Sequence, residues 1–340
     1  MTLPPGKIPI DILKEVIFKN LGAKRKEVVL GPSAGIDGAI LEAGEKSIIV
    51  SMDPITGALE RIGWLAVNIN ANDISTFGVE PAFFLSCILL PEKADRKTVQ
   101  IISSQMNKAA KDLGIAIIGG HCEATPGLTN PIVVGCAMGM TGKGNYVTAA
   151  GARAGDKIIV TKTAGIEGTA ILASDRADTL KKAMNLSLLK KAAEFFKMIS
   201  VAREAQIAFK TGGVHAMHDP TEGGIAGGIH EVADASSLGF IISEEKIPVA
   251  KETLKICKAF DIDPLCLIAS GSMLIAAQSN TADRIVGNLV RNRIKASVVG
   301  EFSASSEKRL IKRKIGVEET LRRPVCDHLW VALAKKRLAK

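Results

Sequence analysis

The sequence predicts two successive α/β or α+β lobes. Three observations carry that prediction. The chain has 340 residues, 47% of them hydrophobic, enough to bury two cores of roughly 150 to 200 residues each. In each half, strand-like apolar runs alternate with runs at helical spacing. Between the halves, residues 143–156 are rich in Gly and Ala and poor in large apolar side chains, which sets a boundary near residue 150. The expected domains are therefore 1–150 and 151–340, with no short repeat of the solenoid kind.

Taken in order, residues 11–21 carry the spacing of an amphipathic helix, and Gly31, Pro32 and Gly35 open a loop. The β-rich run 46–52 ends at Asp53, where a strand end would present a carboxylate to a ligand. Apolar spacing predicts a helix over 62–77, a buried strand over 83–90 and a helix over 96–113. A strand over 115–118 then leads into a Gly-Gly-His-Cys-Glu loop at 119–123, and a strand over 131–141 completes the half. The pattern restarts with a strand over 157–161, a glycine junction at Gly165 and Gly168, and a helix from Thr169. Helical stretches cover about 180–210, a helix spans 225–235, a strand pair or a strand broken at Gly271 covers 267–277, and a late strand covers 298–302.

Composition excludes several classes. The longest apolar runs fall well short of the roughly 18 residues of a membrane span, so no membrane association is expected. The first residues show no basic stretch followed by an apolar core and a cleavage site, which points to the cytoplasm. Six scattered cysteines without a CxxC pair read as reduced thiols. The net charge of +9 is concentrated in residues 307–340, which hold 11 Lys/Arg against 4 Asp/Glu. Aromatic residues make up only 4% of the chain, leaving few stacking platforms, so nucleic acid is not the expected partner. The tail reads instead as solvated helical faces, with apolar residues at helical spacing over 317–321 and 329–338.

Chemistry is concentrated in a few polar positions. Asp37, Asp53 and Asp73 each lie beside a strand or helix end, and three separated carboxylates can converge on a divalent cation bound to phosphate. Singly, each also reads as a cap or turn residue. Asn72 and Asp73 inside an apolar helix are harder to assign to structure, because such residues favour caps over helix interiors. Gly119 and Gly120 would let the chain turn tightly after a buried strand. Two-residue alternation would then put His121 and Glu123 on one side and Cys122 on the other, as a small buried hydrophobe. In the second half, His215, His218 and Asp219 mimic a zinc pattern, but no cysteine is near and Pro220 interrupts any helix aligning the imidazoles. Asp219, Thr221, Glu222, Gly223 and Gly224 read better as a loop feeding a helix whose free amides attract an anion. Gly227 and Gly228 read as close helix packing. No GxxxxGK[ST] and no GxGxxG after a strand is present, which disfavours P-loop and Rossmann sites.

These segments, in this order, resemble the aminoimidazole ribonucleotide synthetase-related, PurM-like ATP-binding superfamily, and within it the hydrogenase maturation factors of HypE type. The resemblance rests on IDGAI (36–40), SMD (51–53), AVNINANDISTFGVEP (66–81), IIGGHCE (117–123), GDKIIVTKTAGIEG (155–168), HDPTEGGIAGGIHEVA (218–233) and IASGSMLIAA (268–277). It implies an N-terminal domain whose sheet forms a barrel across a homodimer, a C-terminal α/β domain, and ATP with Mg²⁺ in the cleft between them. It further implies Asp37, Asp53 and Asp73 as metal ligands, with Asn72, Gly119, Gly120, Thr221, Gly223 and Gly224 on the nucleotide. His121, Glu123, Asp219 and Glu222 would be the catalytic groups. The implied activity is phosphorylation of an amide or carbonyl oxygen, as in carbamoyl dehydration during hydrogenase maturation, with maturation partner proteins and a small-molecule or carbamoyl substrate. A small-molecule kinase of the thiamine monophosphate kinase type and a non-catalytic nucleotide-binding scaffold are the alternatives. Two departures stand out. Ile36 and His121 occupy positions where many members carry Asp. The terminal cysteine that the HypE resemblance implies has its nearest counterpart in Pro324-Val325-Cys326, followed by 14 further residues.

Overall fold

The structure, a computed structural model, describes residues 6, 8, 10–33, 35–56 and 59–335. It divides into two compact units. The smaller holds Lys26–Gly31 and Asp37–Tyr146; the larger holds the chain from Val147 onward together with Pro32–Ile36 and the described residues before Lys26. Among the latter is the short helix α1 (Ile10–Glu15), which has no buried residue. A composition minimum near residue 150 carries no information about these early segments grouping with the second half.

The smaller unit is a six-stranded sheet carrying two helices. Its strands are β1 (Val28–Leu30), β2 (Ala39–Ala43), β3 (Lys46–Ile55), β4 (Pro81–Leu90), β5 (Ala116–Ala124) and β6 (Ile132–Gly142), in the order β1-β2-β3-β6-β4-β5. All neighbours are antiparallel except β4 and β5. Helix α2 (Ile62–Thr76) is enclosed on every side: all its residues except Trp64 are buried, polar Asn68, Asn70, Asn72 and Asp73 among them. Helix α3 (Arg96–Leu113) is amphipathic and buries Ile102, Met106, Ala109 and Ala110. Asp95 caps it by accepting the Thr98 N–H at 2.8 Å, and Gly114 ends it at φ 71°.

The Gly-Gly-His-Cys-Glu stretch departs from expectation. It is no loop after a buried strand: it lies inside β5, an edge strand exposed along all nine residues. Gly119 and Gly120 form no tight turn. They absorb a bulge where the β4/β5 register slips between Phe84 and Leu85, and a Cβ on Gly120 would collide with the Ser86 carbonyl. Cys122 is exposed rather than buried, because an edge strand has no neighbour on one side.

The larger unit contains the strands β7 (Lys157–Thr161), β8 (Val214–His218), β9 (Gly239–Ser243), β10 (Leu274–Ala277), β11 (Ala296–Ser303), β12 (Arg309–Lys312) and β13 (Glu318–Thr320), in the order β13-β12-β9-β11-β7-β10-β8. Its helices are α4 (Ile166–Asp175), α5 (Ala177–Leu180), α6 (Leu186–Ala193), α7 (Ala202–Thr211), α8 (Gly224–Ala235), α9 (Lys251–Phe260), α10 (Ala282–Arg291) and α11 (His328–Ala334). Alternation along β7 divides the core. Ile158 and Val160 pack with Ile225, Ile229 and Phe240 in one cluster, while Ile159 packs with Met217, Ala205 and Ile285 in another. Each cluster is closed by helices, α8 in the first and α7 with α10 in the second.

The tail also differs from the sequence reading. The 317–321 segment pairs with β12 as strand β13 instead of coiling, since an open sheet edge satisfies its backbone. Helix α11 ends at Ala334, and Leu338 lies outside the described residues. Several of the basic side chains are engaged within the unit. Arg309 and Arg323 both pair with Asp234, and Arg313 pairs with Glu319 and Glu244.

His230 on α8 anchors this arrangement. Arg309 Nη1 donates to its Nδ1 at 2.9 Å, so Nε2 carries the proton and donates to the Leu321 carbonyl at 3.0 Å. Burial first, then the Arg309 and Arg323 charges, pushes its pKa down to about 4. The unfolded chain would take up this proton near pH 6.5, so its contribution to stability is present above that value and is lost as pH falls from about 6.5 to 4. His230→Gln should flatten that part of the stability profile. Parallel urea titrations of both proteins across this window check it; profiles differing only by a constant offset would contradict it.

Candidate functional site

One serine of the smaller unit ties the Asp73 carboxylate to the Asp37 backbone. On β3, Ser51 and Asp53 are two residues apart and share a face. On α2, Asn70 and Asp73 are three apart and share a face as well. The Ser51 hydroxyl lies 2.6 Å from Asp73 Oδ2 and 2.6 Å from the Asp37 carbonyl oxygen. It has one proton to donate, and either acceptor ties the Asp37 segment, β3 and α2 to a single point. Asp73 is only 4% exposed and Asn72 is fully buried.

Asp53 is held separately, by Asn70. The Asn70 side chain accepts the Asp53 N–H at 2.8 Å and donates to the Asp53 carbonyl at 3.2 Å, with a further bond to Ala66 O at 2.8 Å. It can cross to β3 because Gly135 stands opposite Asp53 on β6; a Cβ on Gly135 would collide with the Asn70 amide and sit 2.8 Å from Phe84. Asn70 was not singled out from the sequence. Its signal was present all the same: it lies one helical turn before Asp73, among Asn68, Asn70 and Asn72 in an otherwise apolar helix. Gly38 serves the same end, since a Cβ there would meet Val50 O at 2.8 Å and push the Asp37 segment off β3.

His121 and Glu123 do share one side of β5. His121 Nε2 and Glu123 Oε2 are 3.1 Å apart, and Thr125 donates to the other Glu123 oxygen at 2.9 Å. The hydrogen bond from His121 is the main reason the Glu123 carboxyl lies below its ordinary range. The smaller unit does not bring this pair to the aspartates. β6 and β4 lie between β3 and β5, a separation of about 14 Å at ordinary strand spacing.

In the larger unit β8 delivers His218 and Asp219, both buried. His218 Nε2 meets Glu231 Oε2 on α8 at 2.8 Å, while His215 turns to Asp156 at 2.8 Å, so the two imidazoles diverge. The turn that follows corrects the expectation of free amides. Gly223 and Gly224 adopt left-handed conformations, at φ 82° and 60°. The Gly224 N–H donates to Thr221 O at 3.0 Å, and the Gly223 N–H donates to Asp327 Oδ2 at 2.7 Å. These amides are already engaged, so the two glycines shape the turn, and Thr221 and Glu222 are the side chains it presents. Gly228 packs against Pro220, where a Cβ would approach Pro220 Cβ at 2.7 Å. Asp327, which sequence reading also passed over, is 3% exposed, and burial pushes its carboxyl up to about 6.

Both units have known counterparts. The family models for the N-terminal and C-terminal domains of AIR synthase related proteins match residues 35–141 and 153–313. A candidate hydrogenase expression/formation protein of Methanocaldococcus jannaschii is 27% identical over 318 residues, 92% of each chain. The carbamoyl dehydratase HypE of Escherichia coli is 27% identical over 284 residues, 82% of this chain and 81% of that one. Among solved structures, HypE in a HypE–HypF complex superposes with a TM-score of 0.77 at 21% identity, covering 92% of this chain and 99% of that one. HypE in complex with ATP gives 0.70 at 19% identity, covering 95% and 96%. A thiamine-monophosphate kinase of Stenotrophomonas maltophilia gives 0.66 at 18% identity, covering 92% and 98%. With both domain models matched in order and the fold shared throughout, the chain belongs to the AIR synthase related, PurM-like family.

Proposed function

We propose that the chain is an ATP-dependent enzyme that transfers the γ-phosphoryl group to an amide or carbonyl oxygen, in the manner of the carbamoyl dehydratases it resembles. The observation carrying this reading is the Ser51-centred cluster. A buried helix bears Asn70 against the Asp53 backbone and Asp73 against Ser51, and also buries Asn72, a large desolvation cost for a purely structural element. Hard oxygen donors of this kind suit Mg²⁺, with Asp37, Asp53 and Asp73 as its ligands. The cation would neutralise charge on the transferring phosphoryl group. Asn72 and Thr221 are assigned to the nucleotide, and Asp219 and Glu222 to proton transfer and orientation; Gly119, Gly120, His121 and Glu123, which β5 holds apart from the aspartates of their own unit, are assigned to the nucleotide and its γ-phosphate in a homodimer. The acceptor oxygen forms a bond to the γ-phosphorus as the bond to ADP breaks. The amide nitrogen gives up one N–H proton as the oxygen is phosphorylated and the other as the C–O bond breaks, so that the oxygen leaves as phosphate, the C–N bond becomes a triple bond and a primary amide is dehydrated.

A thiamine-monophosphate kinase shares the fold, and a kinase requires the same site without the displacement. The products separate the two readings. ADP with inorganic phosphate supports dehydration; ADP with a stable phosphorylated product supports the kinase. Under either, Asp73→Asn should lower Mg²⁺-dependent ATP turnover by about 100-fold or more, and chelation should abolish it. Turnover within threefold of wild type in Asp73→Asn would refute the assignment.

We further infer a cytoplasmic homodimer. Among the described residues no helix is long and apolar enough to cross a membrane. The sheet of the smaller unit buries alternate residues against α2 and α3, while on its other face Met52 and Met140 stay exposed and Val50, Met138 and Leu85 only part-buried. The exposed edge β5 carries Ile117 and Ile118. A long apolar edge is a pairing surface, and a second copy supplies the matching one. Sedimentation should give a dimer that Ile118→Lys weakens; a monomeric wild type would refute it.

A further inference from the structure

The C-terminal segment is fastened to the larger unit at successive points. His328 Nδ1 accepts the Asp263 N–H at 2.9 Å. Arg176 donates to the carbonyls of Ala332, Leu333 and Lys335 at 3.2, 3.1 and 2.7 Å, closing the end of α11. One fastening reaches the turn after β8. Asp327 Oδ1 accepts the Leu329 N–H at 2.6 Å and caps α11, and Oδ2 accepts the Gly223 N–H at 2.7 Å.

A helix cap needs one side-chain oxygen to accept an early helix N–H. Asp327 uses both oxygens and is 3% exposed, so its burial calls for a second role. The segment it grips holds two successive left-handed glycines, Gly223 and Gly224, and glycine loses more freedom on folding than any other residue. Pro324 adds to the contact, its side chain lying 3.6 Å from where a Gly223 Cβ would be.

We propose that Asp327 is a positioning residue for the reaction assigned above: it fixes the Gly223 amide and thereby the turn that presents Thr221 and Glu222. The inference rests on that functional reading for its effect on rate, but not for its effect on the backbone. Nothing in it requires a mobile tail; the segment bearing Cys326 serves as a brace.

The test compares Asp327→Ala with Arg176→Ala, which loosens the same segment at its other end. Amide hydrogen exchange is followed on peptides covering 219–224, and ATP turnover is measured with Mg²⁺ on the full chain. Loss of a charge-assisted hydrogen bond should speed exchange at the turn by about tenfold or more in Asp327→Ala. kcat should fall by a similar factor, while Arg176→Ala leaves both within about twofold at matched thermal stability. Equal exchange in the two variants, or loss of kcat in both in proportion to their loss of stability, would overturn the proposal. If the wild type turns over no ATP, the functional reading fails, and the exchange data alone decide whether Asp327 holds the turn.

Discussion

The site depends on one contact, the Ser51 hydroxyl between the Asp37 carbonyl and the Asp73 carboxylate. Three pieces of chain, separated by 14 and 22 residues, meet there. Each piece has its own reason for being close. β3 runs under α2, Gly38 lets the preceding segment lie against Val50, and Gly135 leaves room for Asn70 to reach Asp53. Buried polar groups of this density are stable only when they satisfy one another. These bonds fix the Asp73 carboxylate and the backbone at Asp37 and Asp53 before any ligand arrives.

Much of the fold was legible because the two periodicities are strong. The helix over 96–113 coincides with α3, since its apolar spacing is regular and its ends carry Asp95 and Gly114. The strand over 157–161 coincides with β7. The second half was read less completely. The additions β12, parallel to β9, and β13, antiparallel to β12, span only four and three residues, too few to show alternation, and what is apolar in 317–321 fits a helix as well as a strand. Residues 119–123 failed for a different reason. Two glycines in sequence fit a tight turn or a bulge, and the choice is made by the neighbouring strand, through Ser86 and the slipped register, which local sequence does not display.

The site itself was partly legible. Carboxylates in apolar settings stand out, so Asp73 and Asp53 could be named, whereas Asn70 passed as one more polar residue. What makes it important is a cross-chain contact made possible by Gly135, 65 residues away. Asp327 is the same case. In sequence it precedes a short helix and reads as its cap; only the fold brings Gly223 to its second oxygen. The Gly223 amide, which motif reading offered to an anion, is engaged for that reason, and the Gly224 amide by the Thr221 carbonyl within the turn.

The cation assigned to Asp37, Asp53 and Asp73 can be located directly. Crystals grown with Mn²⁺ and a non-hydrolysable ATP analogue should show an anomalous peak within bonding distance, about 2.2 Å, of carboxylate oxygens of Asp53 and Asp73. In Asp73→Asn crystals that peak should disappear. A nucleotide bound with its metal elsewhere, the aspartates still closed on Ser51 and Asn70, would contradict the account.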